Sequence, residues 1–364
     1  MKNVHPWRLL IKALIIFVIL NLAYAEFSPP VGRLSIYNWL VPGRLRFPAG
    51  KNTSYVVTTS DVDSLFASHV ISGTRKVPDE YRVLVLGDSQ TWGVGLSSNQ
   101  TLTEQLNGAD LVACGKQLKF YNLAYPFPSV VKDFLILNRS LGYKPDLIVW
   151  MLSTDSLIPG PDALNYVAGR NPKVIFEILH QYHLDQYTSG IVYNSSLWES
   201  TIVGRRIPLY ILAFLQLYGP FWAATRIDNN PGKYPPLSVN VKASQDFLNY
   251  QPPNLDRSIF AFDVFHVTHK MIGQVPVLVV NEPIYIAPGE NSTIRYNSDY
   301  PRWAYDQYRQ FLQTFVLQSG WNYLDFYNLI PYTDFTDSNF HLNPSGEVRL
   351  AKSLAPAILH IECP

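Results

Sequence analysis

The chain has 364 residues, 47% of them hydrophobic, enough for one large core or for a core carrying an elaborate insertion. Charged residues make up only 16% and the formal net charge is +1, which excludes a basic nucleic-acid face and an acidic tail. Two distant cysteines, Cys114 and Cys363, cannot build a disulfide framework or a Cys-rich metal site, although one bridge between them is open outside the cytosol.

The first element is Leu9–Ala25, apolar except for Lys12 and Asn21 and preceded by Lys2 and Arg8. It reads as an export signal with its positive charge left in the cytoplasm. Ala23-Tyr24-Ala25 resembles a small-x-small cleavage site, so residues 1–25 are either a removed signal peptide or a retained anchor. Either way the rest of the chain is expected outside the cytoplasm. Residues 26–80 carry Pro29-Pro30, Pro42-Gly43 and Pro48-Ala49-Gly50 and read as an extended lead-in, with a short helix over Ser64–Val70.

Arg82–Leu86 is the first clear strand, and its unbroken apolar run predicts burial on both faces. It drives into Gly87-Asp88-Ser89, a tight turn presenting one serine. Thr101–Leu106 is predicted helical, Lys119–Leu123 a strand, Val130–Leu141 an amphipathic helix, and Asp146–Leu152 a strand ending in Ser153-Thr154-Asp155-Ser156. This alternation predicts a right-handed α/β unit. Residues 157–257 break the pattern and are read as a mainly helical or irregular insertion. Within it, Ile207–Thr225 is strongly apolar, flanked by Arg205, Arg206 and Arg226 and interrupted by Pro208, Gln216, Gly219 and Pro220. A buried or interfacial helix pair is the expectation, with a membrane-surface segment as the alternative. Alternation then resumes: helix Ile259–Met271, strand Val275–Val280, helix Tyr300–Gln318, strand Trp321–Phe326, and a closing helix Pro344–Leu354 with Asn343 as N-cap.

A serine hydroxyl is a poor nucleophile unless a base takes its proton, and that base needs an orienting carboxylate. Thr336–Gly346 reads TDSNFHLNPSG and supplies both, as His341 and Asp337, with Asp334 a rival carboxylate nearby. Gly87-Asp88-Ser89-Gln90-Thr91-Trp92-Gly93 resembles the first block of the SGNH (GDSL-type) hydrolases, and Asp337…His341-Leu342-Asn343-Pro344 resembles their last. The resemblance covers Tyr81–Ser156 and Ile259–Pro356, and the catalytic domain is expected over residues 81–156 and 258–364. It implies a flavodoxin-like three-layer α/β/α sandwich with a parallel sheet of about five strands and a large insertion. It implies Ser89 as nucleophile, His341 as base and acid, and Asp337 as orienter, acting on an ester without metal or cofactor.

The middle blocks depart from the family pattern. Phe127 stands where the family offers a Gly backbone amide to the oxyanion, between Pro126 and Pro128, which have no N–H. Asp155 stands where it offers an Asn side chain. An ionised carboxylate cannot donate a hydrogen bond and repels an oxyanion. Three outcomes are open: Asp155 is protonated in a dry site, Thr154 or Asn281 donates instead, or the site is weak. The expected substrate is an acylated small molecule or a glycan, in keeping with export and with an aromatic content of 14%. Hydrolase and acyltransferase stay open. A non-catalytic glycan-binding or assembly protein is the competing class. The pairs His180/His183 and His266/His269 show no further ligands nearby, and no metal is expected. No nucleic-acid partner is expected, and membrane association follows only if residues 1–25 stay attached.

Overall fold

The computed structural model describes residues 5–49, 61–159, 171–183, 196–225 and 236–361. Helix α1 spans Pro6–Phe27, and α2 (Val62–Ser68) and α3 (Val70–Gly73) precede the sheet. Strand β1 runs Glu80–Leu86, α4 Ser89–Trp92, α5 Leu102–Asn107, β2 Val112–Ala113, β3 Lys116–Asn122, α6 Val130–Ser140, β4 Leu147–Leu152 and α7 Thr154–Leu157. After α8 (Pro172–Gln181), α9 (Leu197–Ser200) and α10 (Arg206–Thr225) come α11 (Asp263–Ile272), β5 (Val277–Asn281), α12 (Arg302–Gln318), β6 (Asn322–Asp325) and α13 (Pro344–Leu359).

The sheet has six strands in the order β2-β3-β1-β4-β5-β6. Five are parallel, in line with the expected number. The sixth, β2, is a two-residue antiparallel edge strand, joined to β3 through Cys114 and Gly115 at φ 55° and 70°. Two consecutive positive φ values are what a tight hairpin needs.

Side chains alternate across the strands and build a core on each face. Leu84 and Leu86 of β1, Ile148, Trp150 and Leu152 of β4, and Val277 and Val279 of β5 pack under α6, α11 and α12. Val83, Val85, Val149, Met151, Leu278 and Val280 face the other way, under α5 and α13. The result is a three-layer α/β/α sandwich. Register places Val85 beside Val149 and Leu152 beside Asn281, so the C-terminal ends of β1, β4 and β5 share one edge, where open α/β sheets hold ligands.

The helix expected over Ser64–Val70 is split into α2 and α3, α11 starts at Asp263 rather than Ile259, and two more helices differ from expectation. α13 continues through Pro356 to Leu359 rather than stopping at Leu354, because apolar Leu354 and Ile358 both reach the core. Arg206–Thr225 is one helix with Pro220 inside it, not a pair. Cys114 is disulfide-bonded; Cys363, the other cysteine, lies outside the described residues.

Candidate active site

β1 delivers the chain at Gly87, where no side chain fits: a Cβ there would lie 2.8 Å from Thr91 Cβ and 3.1 Å from Met151 Cβ. Asp88 then caps α4, its Oδ1 accepting from Gln90 N at 3.2 Å, and Ser89 becomes the first helical residue. Asp88 is almost fully buried. Its Oδ2 accepts from Ser153 Oγ at 2.9 Å and Ser156 Oγ at 3.2 Å, tying the serine turn to the end of β4.

From the other end of the chain, residues 335–342 fold back on themselves. Phe335 bridges Leu342, and Thr336 N donates to His341 O at 2.9 Å. Ser338 Oγ accepts from His341 N at 3.0 Å. This loop turns the Asp337 carboxylate onto the ring four residues later: Asp337 Oδ1 lies 2.9 Å from His341 Nδ1. His341 Nε2 lies 2.9 Å from Ser89 Oγ. Two polar contacts of this length, bracketing one imidazole, are the arrangement that can lift a proton from a serine hydroxyl. Asp334, the rival carboxylate, faces elsewhere, its Oδ2 2.8 Å from Arg349 Nε.

The remaining sequence candidates are scattered around this axis. Phe127 has φ +87°, the left-handed region that glycine enters freely and a phenylalanine does not. Strain of this kind costs on the order of 1–3 kcal/mol and persists only where surroundings impose it. The backbone therefore keeps the conformation of a glycine at the position where the family resemblance calls for one. Thr154 is buried, and its Oγ1 has no hydrogen-bond partner among the described residues. Asn281 is turned away from the serine: its Nδ2 donates to Asp325 Oδ1 at 2.9 Å and to Tyr305 Oη at 3.3 Å. Asp155 follows β4 at the start of α7 and accepts from Tyr300 Oη at 3.1 Å. Burial pushes its carboxyl up to about 6 against that hydrogen bond, helped by the charges of Asp299 and Asp88.

Sequence reasoning missed the buried polar layer beneath the serine turn. Lys132 Nζ donates to Gly87 O and to Tyr125 O, both at 2.8 Å, and lies 2.9 Å from Asp133 Oδ1. One ammonium thus ties the serine turn to the segment leading into Phe127. Burial raises Asp133 to about 6 although Lys132 pulls the other way. Glu282 accepts from Thr91 Oγ1 at 2.8 Å, and burial, reinforced by the charge of Asp88, holds its carboxyl well above the usual range. The available signal was a charged pair, Lys132-Asp133, in the first turn of a helix otherwise apolar on that side. Among the described residues no group of three or more His, Cys, Asp and Glu is placed to hold a metal ion.

No family model and no curated protein matches the chain. Solved structures with a similar course include a carbohydrate acetylesterase from Sinorhizobium meliloti, 13% identical, covering 76% of this chain and 97% of its own, with a TM-score of 0.34. An aryl esterase from M. smegmatis is 12% identical over 76% of this chain and 97% of its own, with a TM-score of 0.31. A peptidoglycan O-acetylesterase is 8% identical over 67% of this chain and 47% of its own, with a TM-score of 0.30. Likenesses this distant carry no inference about activity.

Proposed function

We propose that the protein is a serine esterase or O-acyltransferase acting outside the cytoplasm on an acylated glycan or envelope component. The observation that carries this reading is the unbroken Ser89–His341–Asp337 contact chain. In the proposed reaction Ser89 Oγ attacks the ester carbonyl carbon while His341 Nε2 takes the hydroxyl proton. Asp337 holds the ring in the tautomer that makes this possible and stabilises the imidazolium. The tetrahedral oxyanion faces the Ser89 N–H. As it collapses, the C–O bond to the alcohol breaks and His341 returns the proton to the leaving oxygen. Water or a sugar hydroxyl then attacks the acyl-enzyme by the same steps in reverse. Asp155 assists only in its protonated form, as a hydrogen-bond donor. The apolar α1 and the disulfide at Cys114 support the location. The wealth of Tyr and Trp supports a glycan.

The purified protein is expected to hydrolyse a short-chain aryl ester, and Ser89→Ala to lose that activity. Equal rates for the two proteins would remove the assignment. Asp155 favours a second reading, a glycan binder that keeps the fold without catalysis. A fluorophosphonate probe separates them: labelling that depends on both Ser89 and His341 marks an enzyme, and absence of labelling marks the binder.

A further inference from the structure

The outer surface of α1 and α10 has a shape that the catalytic reading does not use. α1 has 22 residues; the fifteen before Asn21 run about 22 Å at 1.5 Å per residue and reach well into a hydrocarbon layer of about 30 Å. From Leu9 to Leu20 its side chains are exposed. An apolar stretch left this exposed over Ala13–Leu20 is not a water-facing element.

Near its C-terminal end α1 is folded onto the body. Asn21 is buried, and its Oδ1 accepts from Val203 N at 3.1 Å. Ala25 is also buried, and Ala23-Tyr24-Ala25 lies within the helix, which continues to Phe27. Cutting there would remove the acceptor of the Val203 amide. α10 begins three residues beyond that amide, at Arg206.

α10 has two apolar faces. Its inner face holds Leu212, Leu215, Gln216 and Gly219. Gln216 Oε1 accepts from Ile36 N, and Gly219 packs so tightly on Tyr37 that a Cβ would clash. These contacts fix α10 to the body and stop it spanning. Its outer face presents Ile207, Tyr210, Leu217, Tyr218 and Phe221, each more than half exposed. A helix facing water would carry charge there. Trp198 of α9 is exposed beside it, and Arg205 and Arg206 stand at its start. Trp and Tyr favour the membrane interface, and arginines meet lipid phosphates.

We propose that α1 is retained as a membrane anchor and that the outer face of α10 lies in the headgroup layer of the same bilayer, holding the sheet domain against the membrane. The occupant follows from continuity: α1 leaves the bilayer where it meets Val203, so α10 starts at the membrane surface.

The test uses the full chain reconstituted in phosphatidylcholine/phosphatidylglycerol vesicles. An environment-sensitive fluorophore is placed on Leu217→Cys and, separately, on Phe221→Cys, with Lys352→Cys on α13 as a water-facing control. Headgroup-proximal spin-labelled lipid is expected to quench the α10 probes about twofold or more, and aqueous iodide to quench only the control. Iodide quenching at 217 and 221 equal to that at 352, without lipid quenching, would overturn the proposal. So would shielding from both quenchers accompanied by cross-linked dimers, which would make a second copy the occupant. Mass spectrometry of the chain from exporting cells is expected to show residues 1–25 attached, and their loss would overturn the anchor.

Discussion

Asp155→Asn is the substitution that most directly probes the site. The carboxyl titrates at about 6 because burial outweighs the hydrogen bond from Tyr300. At pH 8 only about one molecule in a hundred holds the proton needed to donate to an oxyanion. The new amide would still accept from Tyr300 through Oδ1 and would offer Nδ2 at every pH. One oxyanion donor contributes about 10²–10³ in rate. The variant-to-parent ratio of kcat/KM should therefore be about 1 at pH 5, about 2 at pH 6, about 10 at pH 7 and about 100 at pH 8, levelling near the full worth of the donor. Ser89, His341 and Asp337 are common to both proteins, so their contributions cancel in the ratio. The assay is initial-rate hydrolysis of p-nitrophenyl acetate across this range. A ratio independent of pH, or a variant slower throughout, would refute the reasoning.

The same group governs stability. Its folded pKa is raised, so between about 4 and 6 the folded protein holds a proton that the unfolded chain has released, and stability falls as pH rises through that window. Asp155→Asn removes that term, and its Tm relative to the parent should climb from pH 4 to pH 6.5 in scanning calorimetry; a constant difference would refute the sign. Lys132→Met leaves Asp133 buried without its partner and should cost about 3–5 kcal/mol by urea unfolding at pH 7, along with most of the esterase activity; a loss below about 1 kcal/mol would show that the ammonium is dispensable. Asp337→Asn should lower kcat about 10³–10⁴-fold, while Asp334→Asn, which touches only the Arg349 contact, should leave kcat within about threefold. Equal losses in the two would exclude Asp337 as the orienting group.

The sheet was legible in the sequence because its strands are unbroken apolar runs such as Val83–Leu86 and Leu147–Leu152, which have no alternative to burial on two faces. Ser89 and His341 were legible for a different reason. Each sits in a short motif whose turn or cap is fixed locally, by Gly87 and Asp88 on one side and by Asn343 and Pro344 on the other. Which carboxylate meets His341 was not local. Asp334 and Asp337 share one loop, and only the pairing of Asp334 with Arg349 on α13 separates them. Nor could spacing show that Asn281 is taken by Asp325, or that Lys132 is buried between Gly87 and Tyr125. Those contacts join strands and helices far apart in the chain, so they exist only once the sheet has brought their ends to one edge. Residue type and spacing therefore determined the scaffold and the two ends of the proposed reacting pair. Tertiary packing decided the partners, and with them the charge on Asp155 and which face of α10 stays exposed.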